Sequence, residues 1–172
     1  LKASTSMRLL CTHTTGSLLL YASNDTWMSC TDDCSQVKVV RNFPSFDQDL
    51  SCVAVEPSVL KVVVPAVWFG MTTGVLLRIS ATTQQQELLL PSSICCICPI
   101  SSYLCVVGTH QGSIYALHNM HITASWLSFG ESIVQLQYMQ TSKTLLAVSE
   151  SGRIKVWKPV KNRAAQLAHY HT

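Results

Sequence analysis

Cysteine and histidine are the residues of this chain whose types and spacing could support chemistry. The 172-residue sequence contains 8 cysteines and 6 histidines. Two cysteine groups are closely spaced, Cys30-x3-Cys34 and Cys95-Cys96-x-Cys98, and His169 and His171 follow near the end of the sequence. A structural zinc site needs two chelating pairs that converge, whereas the second group falls in one predicted strand, in which neighbouring side chains point to opposite faces. We therefore predict no metal site and interpret the cysteines as reduced thiols packed in the core.

Nucleophilic catalysis would need a Cys or Ser within hydrogen-bond reach of a His, and a third group that orients the His. His110 is the only histidine in one of the repeated turns defined below, and we interpret it as a solvated turn residue. The sequence contains no G-x-S-x-G, P-loop or G-x-G-x-x-G motif. We predict that the protein is not an enzyme and has no catalytic or cofactor-binding residues and no cofactor. A metal-dependent or thiol enzyme on a β-rich fold is the alternative.

The composition excludes several classes of protein. Apolar residues make up 48% of the chain and charged residues only 12%, which excludes a disordered segment and argues against a helix bundle with charged outer faces. The 12 Lys and Arg against 9 Asp and Glu give a net charge of +3 without a basic block, so nucleic acid is not an expected partner. No apolar run is long enough to predict a membrane-spanning segment.

The density and the placement of the cysteines also indicate the cellular compartment of the protein. The cysteine density is below that of disulfide-stapled secreted scaffolds, and most of the cysteines lie in apolar, β-like runs, where a free thiol behaves as a small hydrophobe. We predict a cytoplasmic protein. A secreted or luminal β-domain with disulfide bonds is the alternative reading of the same cysteines.

A repeat emerges when the turns are aligned. Val67–Ile79, Val106–Leu117 and Leu145–Trp157 each consist of an apolar β run, a polar turn ending in glycine, and a second β run. Gly74, Gly112 and Gly152, which lie 38 and 40 residues apart, would occupy the positive-φ position of a tight hairpin. A fourth copy, with Ser35 in place of glycine, is predicted about 39 residues before Gly74. Unrelated hairpins of a β-sandwich are the alternative, but a period near 40 residues is typical of propeller blades.

Strands are predicted at the positions that this period requires. The second repeat contains four predicted strands, at 50–56, 66–71, 75–80 and 85–90, and so does the third, at 93–99, 103–109, 113–119 and 124–129. The fourth repeat contains three, at 133–139, 144–149 and 153–158. The first repeat is weaker, with strands at 17–22, 27–31 and 37–42. Its outer strand is either absent or replaced by Met7–Thr12.

The repeat resembles that of WD40 proteins over about Ser17 to Pro159. The best match is Gly152-Arg153-Ile154-Lys155-Val156-Trp157, which is similar to the third strand of a WD40 blade ending in its tryptophan. Lys158 stands where the family usually has Asp, and the Gly-His pair before the inner strand is absent, Gly130-Glu131 being the nearest sequence. The buried Asp-His-Ser/Thr-Trp network of the family is therefore not expected here, and apolar packing is expected to hold the blades instead.

The resemblance implies an all-β, WD40-like β-propeller of about four four-stranded blades. Because the family usually closes a ring of seven, four blades are either a compact ring or part of a larger propeller, and the shortened first blade favours the second. The expected organisation is propeller blades over residues 1–159, approximately 16–43, 50–91, 93–130 and 133–159, and a C-terminal tail over 160–172, where 164–168 favours a helix.

Such degenerate blades recur in large multidomain regulators. The resemblance therefore implies a non-catalytic scaffold module for protein–protein interaction in a larger regulatory or signalling protein or complex, whose partners are proteins or other domains of the same assembly. Trp68 and Trp157 are at repeat positions in strands and are predicted to pack in the core. Trp27, Tyr21 and Trp126 are predicted as candidates for an exposed rim, where aromatic residues anchor partners.

Overall fold

Sixteen β-strands form the described part of the chain, and no helix occurs in it. The computed structural model describes the backbone of residues 8–12, 18–22, 26–30, 37–42, 50–57, 66–79, 85–159 and 167–170, and the side chains of 50–57, 66–79 and 85–158. The strands form four sheets of four strands each, and the pairs with a described register are antiparallel. The predicted fold class, all-β with about four four-stranded sheets, is confirmed.

Two units make up the chain, Leu1–Leu50 and Ser51–Thr172. Sheet 1 lies in the first unit and consists of β1 (Arg8–Thr12), β2 (Leu18–Ala22), β3 (Thr26–Cys30) and β4 (Val37–Asn42), paired in that order. The prediction for this repeat was wrong by one strand. Arg8–Thr12 does form a strand, but it pairs with β2 at the edge opposite β4, so that Val37–Asn42 is the fourth strand and not the third.

The misalignment has a simple cause. Polar Asn, Asp and Ser residues mark any tight connection between strands, and the sequence analysis aligned the connection around Ser35 with the glycine turns. That connection joins β3 to β4, whereas each glycine turn joins the second and third strands of its sheet. Residues 31–36 themselves lie outside the described part.

The second unit contains the other three sheets. Sheet 2 consists of β5 (Leu50–Val55), β6 (Val67–Met71), β7 (Val75–Ile79) and β8 (Gln85–Leu89). Sheet 3 consists of β9 (Ile94–Pro99), β10 (Leu104–Thr109), β11 (Ser113–His118) and β12 (His121–Leu127). Sheet 4 consists of β13 (Ile133–Met139), β14 (Thr144–Ser149), β15 (Ile154–Pro159) and β16 (Leu167–Tyr170). These bounds agree with the predicted strands to within a few residues.

The last strand corrects the expectation for the C-terminal segment. Residues 160–172 were expected as a tail with a helix-favouring stretch at 164–168, but Leu167–Tyr170 pairs with β15 as the fourth strand of sheet 4. An unpaired β15 would expose a row of backbone donors and acceptors. Pairing satisfies these groups and overrides the weak local preference for helix.

Sheets 2, 3 and 4 pack face to face in chain order. The core between sheets 2 and 3 includes Trp68, Leu76, Ile94 and Val107, and the core between sheets 3 and 4 includes Ile114, Ile133, Leu145 and Trp157. The exposed fraction of each of these eight side chains is at most 2%. Burial of these alternating apolar residues is therefore what orders the three sheets.

Candidate functional site

The three predicted glycine turns lie at the same place in sheets 2, 3 and 4. Gly74, Gly112 and Gly152 have φ angles of +87°, +80° and +81°, a region that other residues enter only with strain. Each turn is closed by a backbone hydrogen bond from the glycine N–H to the carbonyl three residues earlier, at 3.1, 3.0 and 2.9 Å. The three hairpins therefore need glycine for the reason that the sequence indicated.

Hydrogen bonds tie these turns to the segments that connect one sheet to the next. Leu90 N donates to Gly74 O and Ser128 N to Gly112 O, both at 2.9 Å, and Phe129 N also donates to Gly112 O. Conversely, the turn residues His110 and Glu150 donate to the connecting segments, to Ser93 O and Ser132 O, again at 2.9 Å. The turns and connections together form one edge of the unit. We call it the turn edge; it consists of residues 72–74, 90–93, 110–112, 128–132 and 150–153.

A polar cluster occupies the turn edge where sheets 3 and 4 meet. The Arg153 guanidinium donates to Glu131 Oε1 at 3.0 Å from Nε and 2.7 Å from the terminal nitrogen, and the Ser151 hydroxyl donates to the same oxygen at 2.5 Å. Hydrogen bonds from Ser149 and Ser151, followed by that from Arg153, lower the pKa of Glu131 from 4.5 to about 2. The carboxylate therefore stays ionised and fixed at any physiological pH.

Two cations flank an aromatic ring next to this cluster. The ring of Phe129 is 97% buried, with the Arg153 guanidinium carbon 5.9 Å and the Lys155 ammonium nitrogen 5.0 Å from its centroid. Lys155 also donates a hydrogen bond to the Ser128 carbonyl. Cation–π contact restricts both long side chains, so Glu131 and Arg153 of the turn edge and the neighbouring Lys155 form a preorganised set of one negative and two positive charges.

The structure places the other candidates from the sequence as follows. His110 is exposed at the turn edge, next to exposed Gln111. The side chains of Cys30, Cys34 and His169, and the whole of His171, lie outside the described residues. Within the described part of the chain, no three His, Cys, Asp or Glu side chains are grouped so that they could hold a metal ion.

Four of the described cysteines have raised pKa values because they are buried. Burial raises the pKa of Cys52 from 9.0 to about 12, and it also raises the pKa values of Cys96, Cys98 and Cys105. Cys95 accepts a hydrogen bond from the Ser132 hydroxyl at 3.4 Å. The nucleophile and the metal ligand are the thiolate form, so burial holds these four pKa-shifted thiols in the unreactive state.

Three of the predicted aromatic residues lie among the described side chains, and two of these, Trp68 and Trp157, are placed as predicted. Trp68 and Trp157 are each 1% exposed, as predicted for the core. Trp126 was predicted on the rim, but it is partly buried and packs edge-on against Trp157 with ring centroids 6.1 Å apart. Strand β12 begins at His121, three residues before the predicted start, and the alternation of its side chains turns Trp126 towards sheet 4. The side chains of Trp27 and Tyr21 lie outside the described part.

Sequence reasoning missed a buried polar network in sheet 2. Glu56, 5% exposed, accepts hydrogen bonds from Trp68 Nε1 at 3.0 Å and Arg78 Nε at 2.7 Å, and the guanidinium carbon of Arg78 lies 5.6 Å from the centroid of Trp68. The expectation that apolar packing alone holds the blades is therefore wrong for this sheet. The available signal in the sequence was an acidic residue, Glu56, directly after an apolar strand and a basic residue, Arg78, within another apolar strand.

Comparison with known proteins gives structural matches only. No protein-family model matches the chain, and no curated protein matches it. Among solved structures it is similar to a chain of a mitotic checkpoint complex, with TM-score 0.68, 10% identity and coverage of 88% of this chain and 46% of that one. It is also similar to the Cps50 (Swd1) β-propeller domain of Myceliophteria thermophila, with TM-score 0.69, 13% identity and coverage of 95% and 58%.

A third similar structure is the computationally designed Ika4 protein, with TM-score 0.62 and 15% identity, where coverage is 91% of this chain and 92% of that one. The chain thus spans about half the length of the first two structures. At these identities the matches report the fold, and a β-propeller fold agrees with the four-stranded antiparallel sheets described above. The chain therefore has a β-propeller fold, as the resemblance of its repeat implied.

Proposed function

We propose that the protein is a non-catalytic scaffold module that binds protein partners through the turn edge. The single observation that carries this proposal is the hydrogen bonding of each turn to a neighbouring connection between sheets, which fixes the backbone that carries the exposed polar side chains. Loops held by a rigid framework are where binding residues concentrate in such folds. The pKa values of the buried thiols argue in the same direction, because they leave these groups unreactive.

The partner surface is centred on the junction of sheets 3 and 4. Arg153 is 63% exposed at its side chain while its Nε and terminal nitrogen are held by Glu131, and His110 and Gln111 extend the exposed polar surface along the edge. Arginine fixed in place is a frequent anchor of protein interfaces, because less conformational entropy is lost when the partner binds.

We also propose the kind of assembly in which the protein acts. Similarity to a chain of a mitotic checkpoint complex supports membership of a larger regulatory or signalling assembly. The free cysteines among the described residues support a location in the cytoplasm. The net charge of +3 without a basic block supports protein rather than nucleic acid as the partner. No helix in the described part of the chain is long and apolar enough to cross a membrane. Each sheet is proposed to be one blade, at about 8–42, 50–91, 93–130 and 133–170.

Affinity capture with the 172-residue chain tests the proposal. The wild type, the paired variant Glu131→Ala/Arg153→Ala and the control Ser125→Ala, which changes an exposed residue of the outer strand β12, are compared by quantitative mass spectrometry. Specific partners are expected to be retained by the control and depleted about tenfold or more by the paired variant. Identical recovery of every specific partner by the wild type and the paired variant would refute the role of the turn edge, and absence of any specific partner would refute the scaffold function.

A further inference from the structure

Two histidines stand opposite each other across the hairpin that joins β11 to β12. The strand register pairs His118 with His121, and only Asn119 and Met120 lie between them. Directly opposite residues of antiparallel strands have Cβ atoms about 4.5–5.5 Å apart, and their side chains project from the same face of the sheet. Both histidine side chains are exposed. The two imidazoles therefore share one solvent-accessible face, at the opposite end of these strands from the turn edge.

The hairpin that carries the two histidines is anchored on two sides. Asn119 and Met120 have φ angles of +49° and +65°, and positive φ at both central residues is what a type I′ turn requires. Glycine usually takes the second of these positions, whereas Met120 is only 7% exposed and packs in the core with Trp68 and Leu76. On the other side, Asn119 N donates to Tyr103 O at 2.8 Å. The backbone that separates the histidines is thus held in one conformation.

The contacts of the two side chains leave their ring nitrogens available. The ring of Tyr103 lies beside that of His118, with centroids 6.4 Å apart and an interplanar angle of 32°, and this contact restricts the imidazole without using its nitrogens. Within the described part of the chain, no side-chain hydrogen bond or ion pair engages His118 or His121. A side chain that is restricted before binding loses less conformational entropy when a ligand binds.

We propose that His118 and His121 form a binding site for an exchangeable divalent transition-metal ion such as Zn²⁺. Neutral imidazole is a ligand for these ions, with a Zn–N distance of about 2.0–2.1 Å, and the cross-strand register brings both rings to one ion. Because the chain supplies two ligands and not the four of a closed structural site, the other coordination positions are open to water. The sequence analysis predicted no metal site from the cysteine spacing, which does not bear on a histidine pair formed by a hairpin.

Titration of the 172-residue chain with Zn²⁺, followed by NMR of the histidine ring nitrogens, tests the site residue by residue. Three versions are compared: the wild type, His118→Ala, and the double variant His121→Ala/Ile122→His. The double variant keeps the number of histidines but moves one of them to the next position of β12, whose side chain points to the opposite face of the strand. His110, exposed at the turn edge, is the internal control in all three sets of spectra.

The proposal expects one ion to be shared by the two rings. The ring nitrogens of His118 and His121 should shift together along a single saturation curve, with an affinity at least about tenfold above that of His110. The affinity should fall about tenfold or more in His118→Ala and in the double variant, because each loses one of two linked ligands, while the far-ultraviolet circular dichroism stays unchanged. Separate curves for the two histidines, equal affinity in all three versions, or no shift at either ring in excess Zn²⁺ would overturn the proposal.

Discussion

Replacement of Glu56 by alanine would remove the acceptor that two buried donors of sheet 2 share. Trp68 Nε1 and Arg78 Nε lie 3.0 and 2.7 Å from the same carboxylate oxygen, and the side chains of Arg78 and Glu56 are only 17% and 7% exposed. The terminal nitrogens of Arg78 keep their exposed hydrogen bonds to Gln86 Oε1 and Ser102 O, whereas the buried Trp68 Nε1 would lose its Glu56 acceptor. Breaking a buried pair by removing one partner costs about 3–5 kcal/mol, because the other charge is left buried without a counterion.

The expected loss is large enough to be measured without ambiguity. For a chain of this length a change of 1 kcal/mol moves the melting temperature by about 2–4 °C, so Glu56→Ala should lower it by roughly 6–20 °C. Urea denaturation followed by tryptophan fluorescence and by far-ultraviolet circular dichroism gives the free energy of unfolding directly.

An apolar double variant distinguishes the free-energy cost of leaving one buried charge unpaired from the net contribution of the ion pair to stability. Glu56→Leu with Arg78→Met removes both charges at similar volume, and it should cost less than Glu56→Ala alone, because no charge remains buried without a partner. A Glu56→Ala variant that loses less than about 1 kcal/mol, the size of an exposed ion pair, would refute the reasoning.

Three further predictions concern turns, thiols and the turn edge. Gly112→Ala should cost at least about 2 kcal/mol more than Gly152→Ala in urea denaturation, because both have positive φ but only at Gly112 would the added methyl group overlap backbone carbonyl oxygens. Cys52, with its pKa raised to about 12, should react with iodoacetamide at pH 8 at least about tenfold more slowly in the folded chain than after unfolding; equal rates would contradict its burial. The pKa of Glu131 should be near 2 by NMR titration and should rise towards 4.5 in Arg153→Ala. Because the pKa is lowered on folding, the stabilising contribution of Glu131 is complete above pH 4.5 and is lost as the pH falls to about 2. An unchanged titration in the variant would exclude the ion pair.

The sequence predicted the parts of the fold that local chemistry determines. A glycine that can adopt a φ near +80°, placed between runs of alternating apolar residues, predicts a tight hairpin. The hairpins at Gly74, Gly112 and Gly152 and their flanking strands were therefore located correctly. Pairing between distant segments is not determined locally. Met7–Thr12 was considered as a strand, but its place beside β2 was missed, and Leu167–Tyr170 was not predicted as a strand at all; both pair because a neighbouring edge needs hydrogen bonds.

The residues of the candidate site divide in the same way, into those with a local signature in the sequence and those that meet only in the folded chain. His110 was identified because it lies within a repeated turn, whereas the Glu131–Arg153 pair joins two sheets across 22 residues and has no local signature. Glu56 and Arg78 likewise meet only after sheet 2 has formed. Trp126 was assigned to the rim because its repeat match is poor, yet the pleat of β12 directs it towards Trp157.

The stacking of sheets through glycine and isoleucine is the most direct test of the account. With the isoleucine methyl groups selectively labelled, NOE spectra should connect the Ile94 γ2-methyl group to the α-protons of Gly70, and the Ile133 γ2-methyl group to those of Gly108, since these atoms lie in close contact. Observation of both sets is the result expected for propeller sheets stacked in chain order. Absence of both, with strong contacts of these methyl groups to other strands instead, would contradict the propeller arrangement.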